Sequence, residues 1–191
     1  MSTDTPDWYD EKADYIEVVA YNPDWPNQAQ QMIENLKEVF ELDSNIVAYE
    51  HIGSTAIPGL SAKPIIDIYI GVKSVERAKK LMVKPIENMD FLYWAENPNP
   101  EKMMFIKGMP PFGKGRTHHI HVVEYDSKYW KARLAFRDYL RAHTDARMEY
   151  EAEKLKLAET FKYDREGYSE GKNKIVTDLL TRARFEGYKG R

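Results

Sequence analysis

The stretch from His51 to Asp67, His-Ile-Gly-Ser-Thr-Ala-Ile-Pro-Gly-Leu-Ser-Ala-Lys-Pro-Ile-Ile-Asp, joins a turn of small residues to a carboxylate. A turn of Gly53, Ser54 and Thr55 can bring backbone N–H groups close to phosphate oxygens, and a carboxylate at the start of an apolar strand can hold a divalent cation. Together they point to a nucleoside triphosphate site. At strand periodicity Ile66, Ile68 and Ile70 face one way while Asp67 and Tyr69 face the other. A carboxylate between Ile66 and Ile68 is unfavourable to bury alone, so it requires a cation, a hydrogen-bond network or solvent in a cleft. The plain alternative is an Asp67 partnered by a basic neighbour such as Lys63. Lys63 precedes Pro64, which holds the preceding backbone extended. Its ammonium could neutralise a triphosphate, although spacing alone reads it as a solvated loop lysine. Gly-Ser-Thr is by itself an ordinary turn sequence, and only its combination with Asp67 carries weight.

The second constellation is Thr117-His118-His119-Ile120-His121-Val122-Val123. A strand here puts Thr117, His119 and His121 on one face and His118, Ile120 and Val122 on the other. Two imidazoles at i and i+2 can share one ligand; neutral imidazole binds divalent transition metals, and imidazolium pairs with phosphate. The alternative is one histidine packed in the core and another at the surface. Arg133, Arg137 and Arg141 follow at i, i+4 and i+8, a basic stripe on one helix face that could receive phosphate, or a solvated face partly balanced by Asp138. Glu149, Glu151 and Glu153 with Lys154 and Lys156 read as decoration of an exposed helix. The chain contains no P-loop, no GxSxG elbow, no His-Glu-x-x-His and no dinucleotide fingerprint.

The elements that must position these residues follow from periodicity. Residues 1–14 read as a flexible tail and 15–188 as one domain. Ile16 to Tyr21 is a short strand stopped by Asn22-Pro23. Trp25, Ala29, Met32, Ile33, Leu36, Val39 and Phe40 recur at helical spacing. Ile46 to Ile52 and Ile65 to Val72 are strands flanking the Gly-Ser-Thr turn. Ser74 caps a helix that Pro85 must end or kink. Strands are expected at Phe91 to Ala95, Met103 to Lys107 and Thr117 to Glu124, with loops at 98–100 and 108–115. After Asp126 the spacing predicts helices over 127–143, 145–161 and 169–185. Mixed strands followed by several helices imply an α+β domain, a mixed, largely antiparallel sheet covered by helices with a helical C-terminal third.

Composition narrows the function classes. The 28 Lys plus Arg against 31 Asp plus Glu give a net charge of −3, so no general attraction for nucleic acid or anionic membrane is expected. With no cysteine, disulfides, thiolate zinc sites and cysteine nucleophiles are excluded, and any metal is held by O and N ligands. No apolar run approaches the ~20 residues needed to cross a bilayer, and the polar start lacks a signal-peptide core, so a soluble cytoplasmic protein is expected.

The stretch at 51–67, His-His-Ile-His-Val-Val at 118–123 and Phe-Arg-Asp-Tyr-Leu-Arg at 136–141 resemble the GrpB family of bacterial proteins, from about Val18 to about Phe185. A similar domain is fused to dephospho-CoA kinase in some bacteria, which hints at nucleotide metabolism. That family is similar to the nucleotidyltransferase superfold, so the resemblance implies Gly53-Ser54 after one strand and Asp67 on the next. It implies metal-assisted transfer of a nucleoside monophosphate from a triphosphate to an acceptor, with cations neutralising the charge that develops on the phosphate. Working members of that fold carry two carboxylates two residues apart; here Tyr69 stands at the second position. If the sheet brings the histidine strand beside Asp67, His119 or His121 supplies replacement ligands, and Glu124, on the opposite strand face, is a further acidic option.

The expected site is therefore Ser54 and Asp67 as catalytic residues, with Gly53, Ser54, Thr55, Lys63 and Arg137 binding nucleotide. Asp67, His119 and His121 bind Mg²⁺ or Mn²⁺, and ATP or another nucleoside triphosphate is the substrate. The alternative is a catalytically degenerate regulatory module that binds a nucleotide or phosphorylated small molecule. A metal-dependent hydrolase using the histidines lacks an identifiable general base.

Overall fold

The computed structural model describes residues 15–109, 113 and 115–190. The expected tail and much of the loop at 108–115 lie outside the described residues. Helix α1 (Trp25–Val39) buries Trp25, Ala29, Met32, Ile33 and Leu36, the stripe its sequence repeats, and carries Pro26 in its first turn, where a missing N–H has no helical partner to lose. Strand β1 (Ile46–Ile52) leads through a 3₁₀ turn (Ser54–Ala56) and a loop to β2 (Ile66–Val72). Ser74 caps α2 (Val75–Leu81) by accepting from the Arg77 N–H, and α3 (Val83–Glu87) takes Pro85 in its first turn, which divides the expected single helix in two. Strands β3 (Phe91–Tyr93), β4 (Lys102–Lys107) and β5 (His118–Glu124) precede α4 (Lys128–Ala142), α5 (Thr144–Thr160), α6 (Arg165–Gly171) and α7 (Asn173–Phe185). No helix among the described residues is long and apolar enough to cross a membrane.

The five strands form one sheet in the order β1-β2-β5-β4-β3, antiparallel throughout except for the parallel β2–β5 pair. The fold is α+β, as its sequence pattern implies. Ile66, Ile68, Ile70, Met103, Phe105, Ile120 and Val122 pack one face against α1, α2 and α3. Burying each isoleucine is worth ~1.5–3 kcal/mol relative to exposure. A slip of one residue would exchange Ile68 for Asp67 in that core, so the register is strongly specified. On the other face Ile52, Tyr69 and Val123 meet Trp130 and Leu134 of α4. Beyond them Phe136, Leu140, Tyr150, Leu179 and Ala183 join the helical third to Ile57 and Leu60 of the β1–β2 loop.

Two expectations are corrected. Ile16 to Tyr21 makes only an isolated bridge, Val19 with Ala62. The next antiparallel rung would place Pro64 opposite Glu17, and Pro64 has no N–H to extend the ladder. The helix expected over 169–185 begins earlier, at an Asp164 cap that accepts from the Gly167 N–H, and is interrupted at Lys172. Gly171 is the weak helix former at that break, and it lies so close to α5 that a Cβ there would sit 2.6 Å from Leu157 Cδ2.

Asn45 staples the sheet to the α2 turn: its amide donates to the Ser74 carbonyl (3.0 Å) and accepts from the Ser74 N–H (3.1 Å) in a buried position. Asn45→Ala leaves both Ser74 groups unpaired and is expected to destabilise the fold by about 2 kcal/mol, a fall of roughly 4–8 °C in Tm. Calorimetry of the variant beside wild type measures it, and a change below 1 °C would contradict the assigned role.

Candidate functional site

Asp67 and His119 are directly opposed across the parallel β2–β5 pair, as are Tyr69 and His121. The acid and both imidazoles therefore project from one sheet face. His119 Nδ1–H donates to Asp67 Oδ1 at 2.9 Å, and His121 Nε2 lies 3.5 Å from the same oxygen. One ligand atom from each of the three residues falls within 4.8 Å of the others. His119 Nε2 is buried without a hydrogen-bond partner among the described residues, so the ring is held from its Nδ1 side alone. Burial would raise the Asp67 carboxyl, but hydrogen bonds and charge from His119 and His121 outweigh it and hold the group well below the usual carboxylate range. Burial keeps His121 below its ordinary value, which favours the neutral ring that can act as a ligand.

The small-residue turn closes on this cluster. Ile52 is opposite Asp67 in the β1–β2 ladder, and the next residue, Gly53, adopts φ +77°. A Cβ at Gly53 would sit 2.4 Å from Asp67 Oδ2. Only glycine meets both constraints, so turn backbone and carboxylate share one wall of a cavity of about 260 Å³. Ser54 lines that cavity beside the Tyr150 hydroxyl. The first N–H groups of a helical turn lack intraturn partners, which suits Ser54 and Thr55 backbone for an anion. The Thr55 hydroxyl is already committed, donating to the Ile65 carbonyl (3.2 Å) and lying 3.0 Å from His51 Nε2. His51 is pushed down to about 4 by burial, with Arg141 and Arg137 adding to it and Asp67 opposing, so it is neutral and serves to lock the turn.

The arginine stripe divides its labour. Arg137 lines the cavity edge, yet its guanidinium donates to Glu50 (2.7 Å), Asp138 (2.7 Å) and the His51 carbonyl (2.9 Å). Arg141 donates to the Ala56 carbonyl at 2.9 Å. Both brace the turn from behind. Arg133 lines the same cavity and makes no ion pair among the described residues. Glu124 ends β5 in an exposed position at a separate surface hollow and takes no part in the cavity.

The helical wall contributes residues that sequence reasoning missed or placed elsewhere. Lys154, read as exposed decoration, is buried, its ammonium donating to the Ser61 carbonyl and lying over the Tyr150 ring. Ala146, Tyr150, Lys154 and Leu157 form one buried stripe of α5, so a lysine inside an apolar helical repeat was the available signal. Glu151, also read as exposed decoration, accepts from the Ser61 N–H at 2.9 Å. Lys172 enters through the α6–α7 break, which periodicity did not disclose. Lys63 is not a solvated loop lysine: it lines the cavity beside Tyr168.

Burial lowers Lys63 to about 7, with Arg165, Lys172 and Arg116 adding and Asp67 opposing. Lys154 falls to about 7, through burial and then Lys172, against Glu151. Lys172 falls to about 8, through burial, Arg133 and Arg165, against Asp67.

The family model described as "GrpB protein" matches residues 15–182, so the chain belongs to the GrpB family. It is 42% identical to a UPF0157 protein of Pseudomonas aeruginosa over 92% of this chain and 71% of that one. It is 36% identical to UPF0157 protein YqkA of Bacillus subtilis over 84% of this chain and only 45% of that protein's length. The crystal structure of GrpB from Enterococcus faecalis superposes with a TM-score of 0.79 at 30% identity, covering 89% of this chain and 98% of that one.

Gly53→Ala is expected to cost about 2–3 kcal/mol, from the left-handed backbone and the clash with Asp67 together, measured as a lower denaturation midpoint. Wild-type stability would contradict the close approach. The three lysines make a second expectation. Their folded-state values lie below the unfolded value of 10.5, so each destabilises the fold fully below its folded value and progressively less as pH climbs. The unfolded chain then binds more protons between pH 7 and about 9, and Tm should rise across that window. Lys154→Met should show a shallower rise; an equal or steeper one would contradict burial of this ammonium.

Proposed function

We propose that this cavity binds the polyphosphate of a nucleoside triphosphate together with one divalent cation and performs metal-assisted transfer of a nucleoside monophosphate to an acceptor. One observation carries the reading: the Gly53–Ser54 turn and the Asp67–His119–His121 cluster meet in a single cavity walled by Lys63, Lys102, Arg133, Lys154 and Lys172. The donor set fits a metal. Ligand atoms bound at ~2.1 Å stand ~3.0 Å apart in an octahedron and ~3.4 Å apart in a tetrahedron, each close to one of the 2.9 and 3.5 Å separations from Asp67. Two imidazoles with one carboxylate suit Mn²⁺ or another transition ion better than Mg²⁺, which prefers oxygen ligands.

A cation bound there would supply Lewis-acid polarisation of the phosphoryl group under attack. The remaining work falls to the chain. Backbone N–H groups of Ser54 and Thr55 orient phosphate oxygens, Lys63 and Arg133 neutralise them, and Arg137 and Arg141 keep the turn rigid so that this charge arrangement is in place before reaction. Without metal Asp67 Oδ1 holds His119 through its Nδ1–H, a proton that a cation bound at that nitrogen would displace.

A second reading, a regulatory module that binds without turnover, is favoured by Tyr69. It occupies the strand position of a second carboxylate, is buried, and packs against Trp130 and His121. Incubation with each of the four ribonucleoside triphosphates and Mn²⁺, followed by a pyrophosphate assay, separates the two. Pyrophosphate release supports the transferase, and thermal stabilisation without release supports the module. For the metal itself, His119→Ala is expected to weaken Mn²⁺ binding at least about tenfold by isothermal titration. Unchanged affinity would reject His119 as a ligand.

A further inference from the structure

We propose that the helical wall of the cavity is a polyphosphate subsite of its own, built by Lys63, Lys154 and Lys172, which holds the phosphate chain without metal and leaves the nucleoside outside. The assignment takes the phosphate reading of the cavity as its starting point and names which part of the ligand the protein recognises.

Lys154 is buried and Lys63 and Lys172 are half-buried, and a close anion would offset the desolvation of their ammonium groups. Lys63 and Lys172 form no ion pair among the described residues, and Lys154 donates to a neutral carbonyl, Ser61 O. Each faces further cations: Arg165 and Arg116 beside Lys63, Arg133 and Arg165 beside Lys172, and Lys172 beside Lys154. The acids they meet are Asp67, already engaged by His119 and His121, and Glu151, engaged by the Ser61 N–H. Three lysines gathered this way repel one another in the empty cavity. A ligand with several negative charges closely spaced removes that repulsion and satisfies their donors.

The walls also say what the ligand part is not. A nucleobase seeks an aromatic face, and each tyrosine ring here already has a neighbour. Tyr168 carries Lys172 at 4.2 Å and Lys63 at 4.9 Å from its centroid. Tyr150 carries Lys154 at 5.0 Å and the Phe136 ring at 5.2 Å. Tyr69 lies between His121 and Trp130, 5.3 and 6.2 Å away. At about 260 Å³ the cavity also falls below the ~300–1,000 Å³ that encloses a drug-sized ligand, so a whole nucleoside triphosphate does not fit inside it.

The test is isothermal titration of the full chain in EDTA with inorganic tripolyphosphate, ATP and adenosine. Tripolyphosphate and ATP are expected to bind within about threefold of each other, with no heat from adenosine. Lys154→Met and Lys172→Gln should each weaken tripolyphosphate at least about tenfold, the loss of one charge-assisted contact. Glu124→Gln, outside the cavity, should bind it undiminished. Thermal unfolding establishes that each variant is folded, and Lys172→Gln, at a half-buried helix junction, carries the test should Lys154→Met fail to fold. Adenosine binding, ATP at least tenfold tighter than tripolyphosphate, no binding in EDTA, or affinities unmoved in the folded lysine variants would each overturn the subsite. A parallel Mn²⁺ titration into metal-free protein keeps the outcomes distinct: Mn²⁺ binding without tripolyphosphate binding sinks the subsite and leaves the metal centre standing, and the reverse sinks the metal centre alone.

Discussion

One carboxylate organises this molecule's interior chemistry. Asp67 sits on a strand whose other face is fully apolar, so it cannot rotate into the core and must find compensation on the side it is given. The parallel pairing of β2 with β5 supplies that compensation by setting His119 and His121 beside it. The absence of a side chain at Gly53 lets turn backbone approach the same carboxylate. A shift of β5 by one residue would leave the acid without its imidazole partners, and a shift of β1 would move Gly53 away from it.

Around that anion the protein assembles far more positive charge than it needs for folding. Arg137 and Arg141 are discharged structurally, bonded to Glu50, Asp138 and the carbonyls flanking the turn. The lysines are not discharged in this way. Local consistency breaks down at buried Lys154 and half-buried Lys63 and Lys172, whose ammonium groups face cations, and violations of that kind concentrate at functional sites. The helical third therefore serves as more than cover for the sheet. Its α5 stripe and the α6–α7 break carry charge to the same cavity that the β2–β5 strand pair lines.

Membership of the GrpB family covers the whole architecture from the bridge at Val19 to α7. The part that gives this fold its chemistry is narrower. Tyr69, two residues after Asp67 on the same strand face, packs on Trp130 and is part of the core. The cavity accordingly offers one Asp-His-His cluster, with fixed charges around it.

Much of this was legible from residue order. The alternation of Ile66, Ile68 and Ile70 with Asp67 and Tyr69, the α1 stripe, and the histidines at i and i+2 each follow from local periodicity, since neighbouring side chains alone decide which face a residue takes. The junction of acid and imidazoles was conditional, because strands separated by fifty residues pair in a register that no local pattern encodes. Lys154 carried a local signal that its charge obscured, and Lys172 lay beyond local reading. One is a charged residue in an apolar stripe and the other lies at a helix break set by packing of Gly171 on Leu157. Sequence by itself determined which side chains share a face; tertiary structure alone decided which faces meet, because burial and charge compensation are properties of the assembled core and not of any segment within it.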